Sequence, residues 1–289
     1  MAASQAVTVA QSPTSQSPAS QSPVSRGPAS RSRAAAALST SWAGPLVGTA
    51  GLVGLWALLA YTVFGHNHLV PPPQEVLVTV FHDPGFAMWP NVMSTLGEAA
   101  TGFLWGNVVA IALALAFVQV PLLEKALLRV VLATYCMPII AIGPVLEIIL
   151  SGTAPQATLA GLSVVFTTLV GCLVGLRSAD RASLDLVRVY GGGRWRQLYK
   201  VRIRSALPAA FAGLAISGPA AVLGAIVGEY LGASQGLGVA LISANEDLNS
   251  RRAFAIALVA TAVAGAAYLL VSLVGRMLTP WAPRHRSAR

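Results

Sequence analysis

The chain has 289 residues, of which 55% are apolar and only 10% charged, where an average soluble domain carries about 25% charged residues. So few charges cannot cover a soluble surface of this size, and lipid is the natural solvent. The net charge of +9 and pI near 10.4 do not point to nucleic acid, because the basic residues cluster between apolar stretches, as membrane topology requires.

Residues 1–42 differ in kind from the rest. Gln11-Ser12-Pro13, Gln16-Ser17-Pro18 and Gln21-Ser22-Pro23 recur at a five-residue period and lead into Arg26, Arg31 and Arg33. Such sequence buries too little apolar area to offset its ordering entropy, and a disordered cytoplasmic tail is expected. The first apolar run begins too late and is too long for a secretory signal peptide.

Six runs of about 20 residues follow, each long enough for a hydrocarbon layer of about 30 Å. They cover approximately 43–64, 103–122, 129–151, 155–176, 206–230 and 254–279. The expected fold is therefore all-α: a polytopic membrane bundle of six transmembrane helices spanning 43–281, ending in a basic cytoplasmic tail at 282–289. With the N-terminus in the cytoplasm, seventeen of the nineteen Lys and Arg residues fall inside and only Arg251 and Arg252 outside. Both termini are then cytoplasmic.

Gly48, Gly51 and Gly54 in the first run, and Gly171-xxx-Gly175 in the fourth, predict close helix packing. Pro138, Pro144 and Pro219 interrupt helices and free backbone groups that need partners. Cys136 and Cys172 lie inside apolar runs without a CxxC motif, and His66, His68, His82 and His285 form no HExxH. No metal site is expected.

The stretch 177–207 is too long and too patterned for a simple connector. Ala182 to Tyr190 reads as a short amphipathic helix with Leu184, Leu186, Val187 and Tyr190 apolar beside Asp185 and Arg188. Gly191, Gly192 and Gly193 break it. A second short helix, Arg194 to Ile203, carries Trp195, Leu198 and Val201, and Pro208 opens the next span. Such an elbow suits docking into a groove of a soluble partner; the competing reading is an amphipathic segment held on anionic lipid by its basic residues.

The run from Asp185 to Leu214, DLVRVYGGGRWRQLYKVRIRSALPAAFAGL, resembles the EAA loop of binding-protein-dependent ABC importer permeases. Gly191 stands at the signature glycine, Trp195 at the frequent aromatic, Leu207-Pro208 at the closing pair and Gly213-Leu214 at the following G-L. The later Gly228-Glu229-Tyr230-Leu231-Gly232-Ala233 with Gly236-Leu237-Gly238, and the earlier LVPPPQEVL from Leu69 to Leu77, look like the nitrate, sulfonate and taurine branch. The resemblance covers about 46–281. In place of E-A-A stands Asp185-Leu186-Val187, Arg204 stands at a usual proline, and three glycines stand where one is typical, which predicts a looser elbow.

This resemblance implies a type I permease in the bacterial inner membrane that contains no ATPase of its own. ABC ATPase subunits, carrying ATP and Mg, would dock on the elbow; an extracytoplasmic solute-binding protein would deliver a small solute; a second permease copy would complete the pathway. The sequence has no G-x-x-x-x-G-K-[ST], so a P-loop, and with it any cofactor of this chain's own, is not expected. The elbow residues Asp185, Leu186, Val187, Gly191, Gly192, Gly193, Trp195, Pro208 and Gly213 are the candidate coupling loop. Sulfonates, taurine, nitrate and thiamine-precursor-like solutes are all compatible.

Glu147 and Glu229 lie near the outer ends of spans, where buried charge is costly and points to function. Glu229 matches the family's G-E pair, and a structural role there competes with solute contact. Glu147, if it lines the path, repels anions and favours neutral or cationic solutes; otherwise it reaches the outer interface. The alternative class, a secondary active transporter, needs midplane coupling carboxylates and commonly a repeat between halves, and the sequence has neither. No Ser/Lys or His/Asp/Glu constellation suggests catalysis.

Overall fold

The computed structural model describes residues 43–62, 70–82, 88–136 and 138–281. The predicted tails 1–42 and 282–289, and the pair His66 and His68, lie outside these. The chain divides into two units at Leu52 and Val53. Of the first, only the opening turns of α1 (Ala43–Thr62) are described; the packing below concerns the second.

All regular structure among the described residues is helical. After α1 come α2 (Pro73–His82), α3 (Met88–Gln119), α4 (Pro121–Cys136), α5 (Ile139–Ile149), α6 (Ala154–Arg177), α7 (Arg181–Val189) and α8 (Arg194–Gln197). A π-turn, Leu198–Arg202, leads into α9 (Ile203–Gly232), then α10 (Leu237–Glu246) and α11 (Ser250–Leu278). Among the described residues, four helices are long and apolar enough to cross a membrane: Met88–Gln119, Ala154–Arg177, Arg194–Gly232 and Ser250–Leu278.

The six-run reading needs correction in three places. The third run, 129–151, is two helices parted at Pro138 rather than one. A proline has no N–H to give to the turn before it and turns the preceding residue away from the α region. The 11 residues of α5 reach only about 16 Å, too short to cross alone. The second span starts at Met88, well before 103, because its early polar residues find partners inside the bundle. Pro208 does not open the fifth span: helix is continuous from Arg194 to Gly232, with Pro208 and Pro219 inside it. A tenth helix, α10, occupies a stretch where the sequence predicts none.

The core is built on α6, which packs against α3 on one side and α9 on the other. Small residues set the spacing. A methyl on Gly171 would lie 2.9 Å from the Gly213 Cα, one on Gly175 2.7 Å from the Ala206 carbonyl oxygen, and one on Gly224 2.7 Å from the Ala160 Cα. The pairings run in opposite order along the two chains, so α6 and α9 are antiparallel. Against α3, Gly102 meets Ala157 and Ala160, and Gly106 meets Gly161, so α3 and α6 run parallel. The predicted Gly171-xxx-Gly175 face is thus a backbone contact, whereas a methyl on Gly54 would meet nothing within 4 Å.

With no aqueous drive between apolar helices, polar groups add specificity. In mid-bundle, the Thr168 hydroxyl donates to Asn107 Oδ1 at 2.6 Å, and Ser217 reaches the same oxygen at 3.5 Å. Asn107 Nδ2 donates to the Phe103 carbonyl. One buried amide therefore joins α3, α6 and α9.

Candidate functional site

The helix directions divide the molecule into two ends. One carries the elbow with the C-terminus of α6; the other carries Glu98, Glu147, Gln156 and Glu229.

At the elbow, α7 begins where Asp180 accepts hydrogen bonds from the Ser183 backbone N–H and hydroxyl, both at 3.1 Å. This is an N-cap, and the Ser183 backbone bond first, then its hydroxyl, holds the Asp180 carboxyl below the usual aspartate range. At the other end, Gly192 N–H donates to the Val187 carbonyl (2.8 Å) and Gly191 N–H to the Arg188 carbonyl (2.9 Å). Gly191 has φ +72. This bond pair with a left-handed residue is a Schellman closure.

The three glycines are not equivalent. Gly191 supplies the positive φ; a methyl on Gly192 would lie 2.5 Å from Val187 Cγ1; one on Gly193 meets nothing. Gly193 is extended backbone that any residue adopts. Two consecutive glycines thus fix a tight turn, against the looser elbow that three predict.

The second arm is tied back by Gln197, whose Nε2 donates to the Leu184 carbonyl at 3.2 Å. Leu198 is buried with Leu176, Phe117 and Ala206, and Arg202 Nη1 donates to the Leu176 carbonyl. Arg177, at the end of α6, pairs with Glu124 of α4. The elbow is thereby anchored on its inner side, while α7 buries no residue at all. Its outer side shows Leu186, Val189, Tyr190, Trp195 and Tyr199, exposed by 58 to 83%. Among the described residues Asp185 pairs with Arg188, one turn on, at 3.5 Å, a contact worth little when exposed.

Pro208 and Gly213 do not belong to this surface. Pro208 is 13 residues beyond Trp195 on the same helix, about 20 Å along its axis, and Gly213 sits against Gly171. Gly213 thereby shapes the contact of α9 with α6.

At the far end, Glu229 is fully buried. Its Oε1 accepts from the Thr95 hydroxyl at 2.5 Å and its Oε2 from the Gly238 N–H at 2.7 Å. Thr95 Oγ1 in turn accepts from Leu237 N–H, and Asn91 Oδ1 accepts from Gly236 N–H, each at 3.0 Å. The carboxylate therefore caps the N-terminus of α10 from the end of α9, satisfying amides that the first turn leaves open. Gly236 has φ +129, and any Cβ there would strike the Glu229 carboxyl. Glu147 is half-buried and accepts from Gln156 Nε2 at 3.0 Å. Glu98, buried on α3, stands beside the Glu229 carboxyl and within the field of Glu147.

Sequence reasoning finds Glu147 and Glu229 but passes over Glu98, Thr95, Gln156 and Gln197. Glu98 was legible: a lone carboxylate within a long apolar helix is the usual mark of such a site, and it fell outside a span begun at 103.

An all-helical, strongly apolar chain with several helices of spanning length and a rigid external elbow is a multi-pass membrane protein of the transport type. Residues 106–283 match the family described as binding-protein-dependent transport system inner membrane component, and the chain belongs to that family, whose members are ABC importer permeases. It is 30% identical over 228 residues to a probable ABC transporter permease protein of Haemophilus influenzae, covering 78% of this chain and 93% of that protein. It is 27% identical over 188 residues to the formylaminopyrimidine transport permease protein of Halalkalibacterium halodurans, covering 65% of this chain and 75% of the relative. To the taurine transport system permease protein of Escherichia coli it is 24% identical over 243 residues, 81% and 88% of the two chains.

Proposed function

We propose that this permease is a rocking bundle driven from its elbow by separate ATPase subunits. The observation that carries the reading is the apolar ridge of Leu186, Val189, Tyr190, Trp195 and Tyr199 on an elbow rigidly closed by Gly191 and Gly192. A large exposed apolar patch beside a fixed backbone suits a protein partner better than solvent. Because one helix runs 39 residues from Arg194 to Gly232, about 58 Å, a push at Trp195 is carried to Glu229.

In this reading the elbow is cytoplasmic, as the charge distribution supports, and both termini lie in the cytoplasm of a bacterial inner membrane. The short apolar α1 and the broken α4–α5 pair provide the two remaining crossings of a six-span bundle. ATP and Mg bind on the ATPase subunits. A solute-binding protein delivers cargo at the Glu229 end, and a second permease copy, most simply an identical one, closes the pathway, with lipid around the remaining apolar faces. Closure of the ATPases draws the two elbows together and tilts the long helices between inward-open and outward-open states.

The test is co-purification of the full chain with its ATPase subunits. Replacing Tyr190 and Trp195 by alanine is expected to remove the ATPase from the complex while membrane insertion and thermal unfolding remain as in the wild type. Retention of the ATPase at wild-type stoichiometry would contradict the docking role.

A further inference from the structure

The corner between α10 and α11 closes with the same pair of bonds as the elbow. Asn249 N–H donates to the Ala244 carbonyl at 2.9 Å and Leu248 N–H to the Asn245 carbonyl at 3.1 Å, again a Schellman closure. At the elbow the left-handed position belongs to Gly191; here it belongs to Leu248, at φ +51. Among the described residues no other non-glycine residue has a positive φ. That conformation brings a Cβ against the following carbonyl oxygen, a clash glycine avoids. Packing returns little for it, because the Leu248 side chain is 89% exposed.

The corner is braced on all sides. Asn249 Oδ1 accepts from the Arg252 N–H at 3.1 Å and so caps α11. Arg252 pairs with Asp247 at 3.7 Å, and Arg251 with Glu75 of α2 at 3.5 Å. Gly218 meets Ala267 and Gly275 meets Phe211, so α11 runs antiparallel to α9 and its first turn stands at the end opposite the elbow. Beside Leu248 an open cleft of about 640 Å³ reaches Val78, Thr79 and His82 on α2. With Asp247 and Arg251 in its wall, this is no surface for hydrocarbon.

We infer that Leu248 is a fixed apolar peg, and the cleft beside it a socket, on which the soluble solute-binding protein docks. The inference rests on the importer reading and deepens it by naming where that partner sits. A single exposed leucine is ordinary. One held in a strained conformation at the tip of a braced corner is not, because such strain marks sites that function uses. A peg already fixed has little freedom left to lose on docking. An apolar centre ringed by the exposed Glu75–Arg251 and Asp247–Arg252 pairs has the anatomy of a contact between two proteins that meet in water.

The test uses the full chain with its ATPase subunits in lipid nanodiscs, and the purified solute-binding protein as probe. Leu248→Gly relieves the strain and should raise the thermal unfolding temperature, yet weaken binding of the probe protein roughly tenfold or more. Leu248→Asn also tolerates the left-handed turn but is polar, and should weaken binding in the same way. A bimane label on Leu248→Cys, in a chain carrying Cys136→Ala and Cys172→Ala, should emit as in water until the binding protein is added and shift to the blue afterwards. Three results overturn the inference: wild-type affinity in both variants, a Leu248→Gly variant less stable than the wild type, or a label already blue-shifted before the binding protein is added. The last places the side chain against lipid or a second copy. All three leave the importer reading standing. A wild-type complex that the binding protein neither binds nor stimulates overturns that reading, and this docking with it.

Discussion

Glu229 accepts a 2.5 Å hydrogen bond from Thr95, joining the last turn of the helix that begins at the elbow to the first third of α3. The same carboxylate holds the Gly238 amide, so one side chain locks α3, α9 and α10 at the end opposite the elbow.

Removing that lock is costly. Glu229→Ala leaves the Thr95 hydroxyl and the Gly238 N–H without their partner in a buried space, a loss of about 3 kcal/mol. Glu229→Gln keeps the volume and one acceptor oxygen and loses less. Thermal unfolding in detergent should rank wild type above glutamine and glutamine above alanine; an alanine variant as stable as the wild type would contradict the capping role.

The elbow glycines should separate cleanly. Gly193→Ala is expected to leave ATPase stimulation unchanged, Gly191→Ala to cost about 1 kcal/mol at the turn, and Gly192→Val to abolish stimulation by forcing the turn apart at Val187. Membrane insertion persists in all three. Equal stimulation by the Gly192 and Gly193 variants would show that the closure of α7 is not what couples.

The cap of α7 gives the elbow a pH dependence. Because folding lowers the Asp180 pKa, its contribution is complete above the unfolded aspartate value and is lost as pH falls through the lower folded value. Protection factors of the α7 amides, Ser183 above all, should therefore drop in the acid range. Asp180→Asn keeps a capping oxygen without a titrating group, and its protection should hold over the same range.

Close approach of α6 and α9 is the third element. Gly171→Leu drives a side chain into the Gly213 backbone and should cost about 1 to 3 kcal/mol, whereas Gly265→Leu on α11, where a Cβ meets nothing within 4 Å, should be neutral. Thermal unfolding of the two variants side by side distinguishes seam from lipid-facing glycine.

What the sequence made legible is local. The end of α7 follows from Gly191, a one-residue signal, while its start reads at Ala182, one residue late, because the Asp180 cap is passed over. The helical lengths of α6 and α11 follow from hydropathy. The interruption at Pro138 was legible from the proline itself. Its consequence, two helices in place of one span, was not legible from hydropathy, which counts methylenes and ignores a missing N–H. Glu229 could be recognised by its G-E motif, but its partner Thr95 is 134 residues away, and only the packing of α3 on α9 brings them together. The tightness of the elbow was hidden for a similar reason: which glycine is needed depends on where the Val187 side chain lies.

The central claim is that the bundle moves solute only when its elbow is driven by another protein. Uptake into proteoliposomes, measured with and without the ATPase subunits, solute-binding protein and ATP, tests it most directly. Accumulation should appear only with all three present. Accumulation by the permease alone, powered by an ion gradient, would contradict the account.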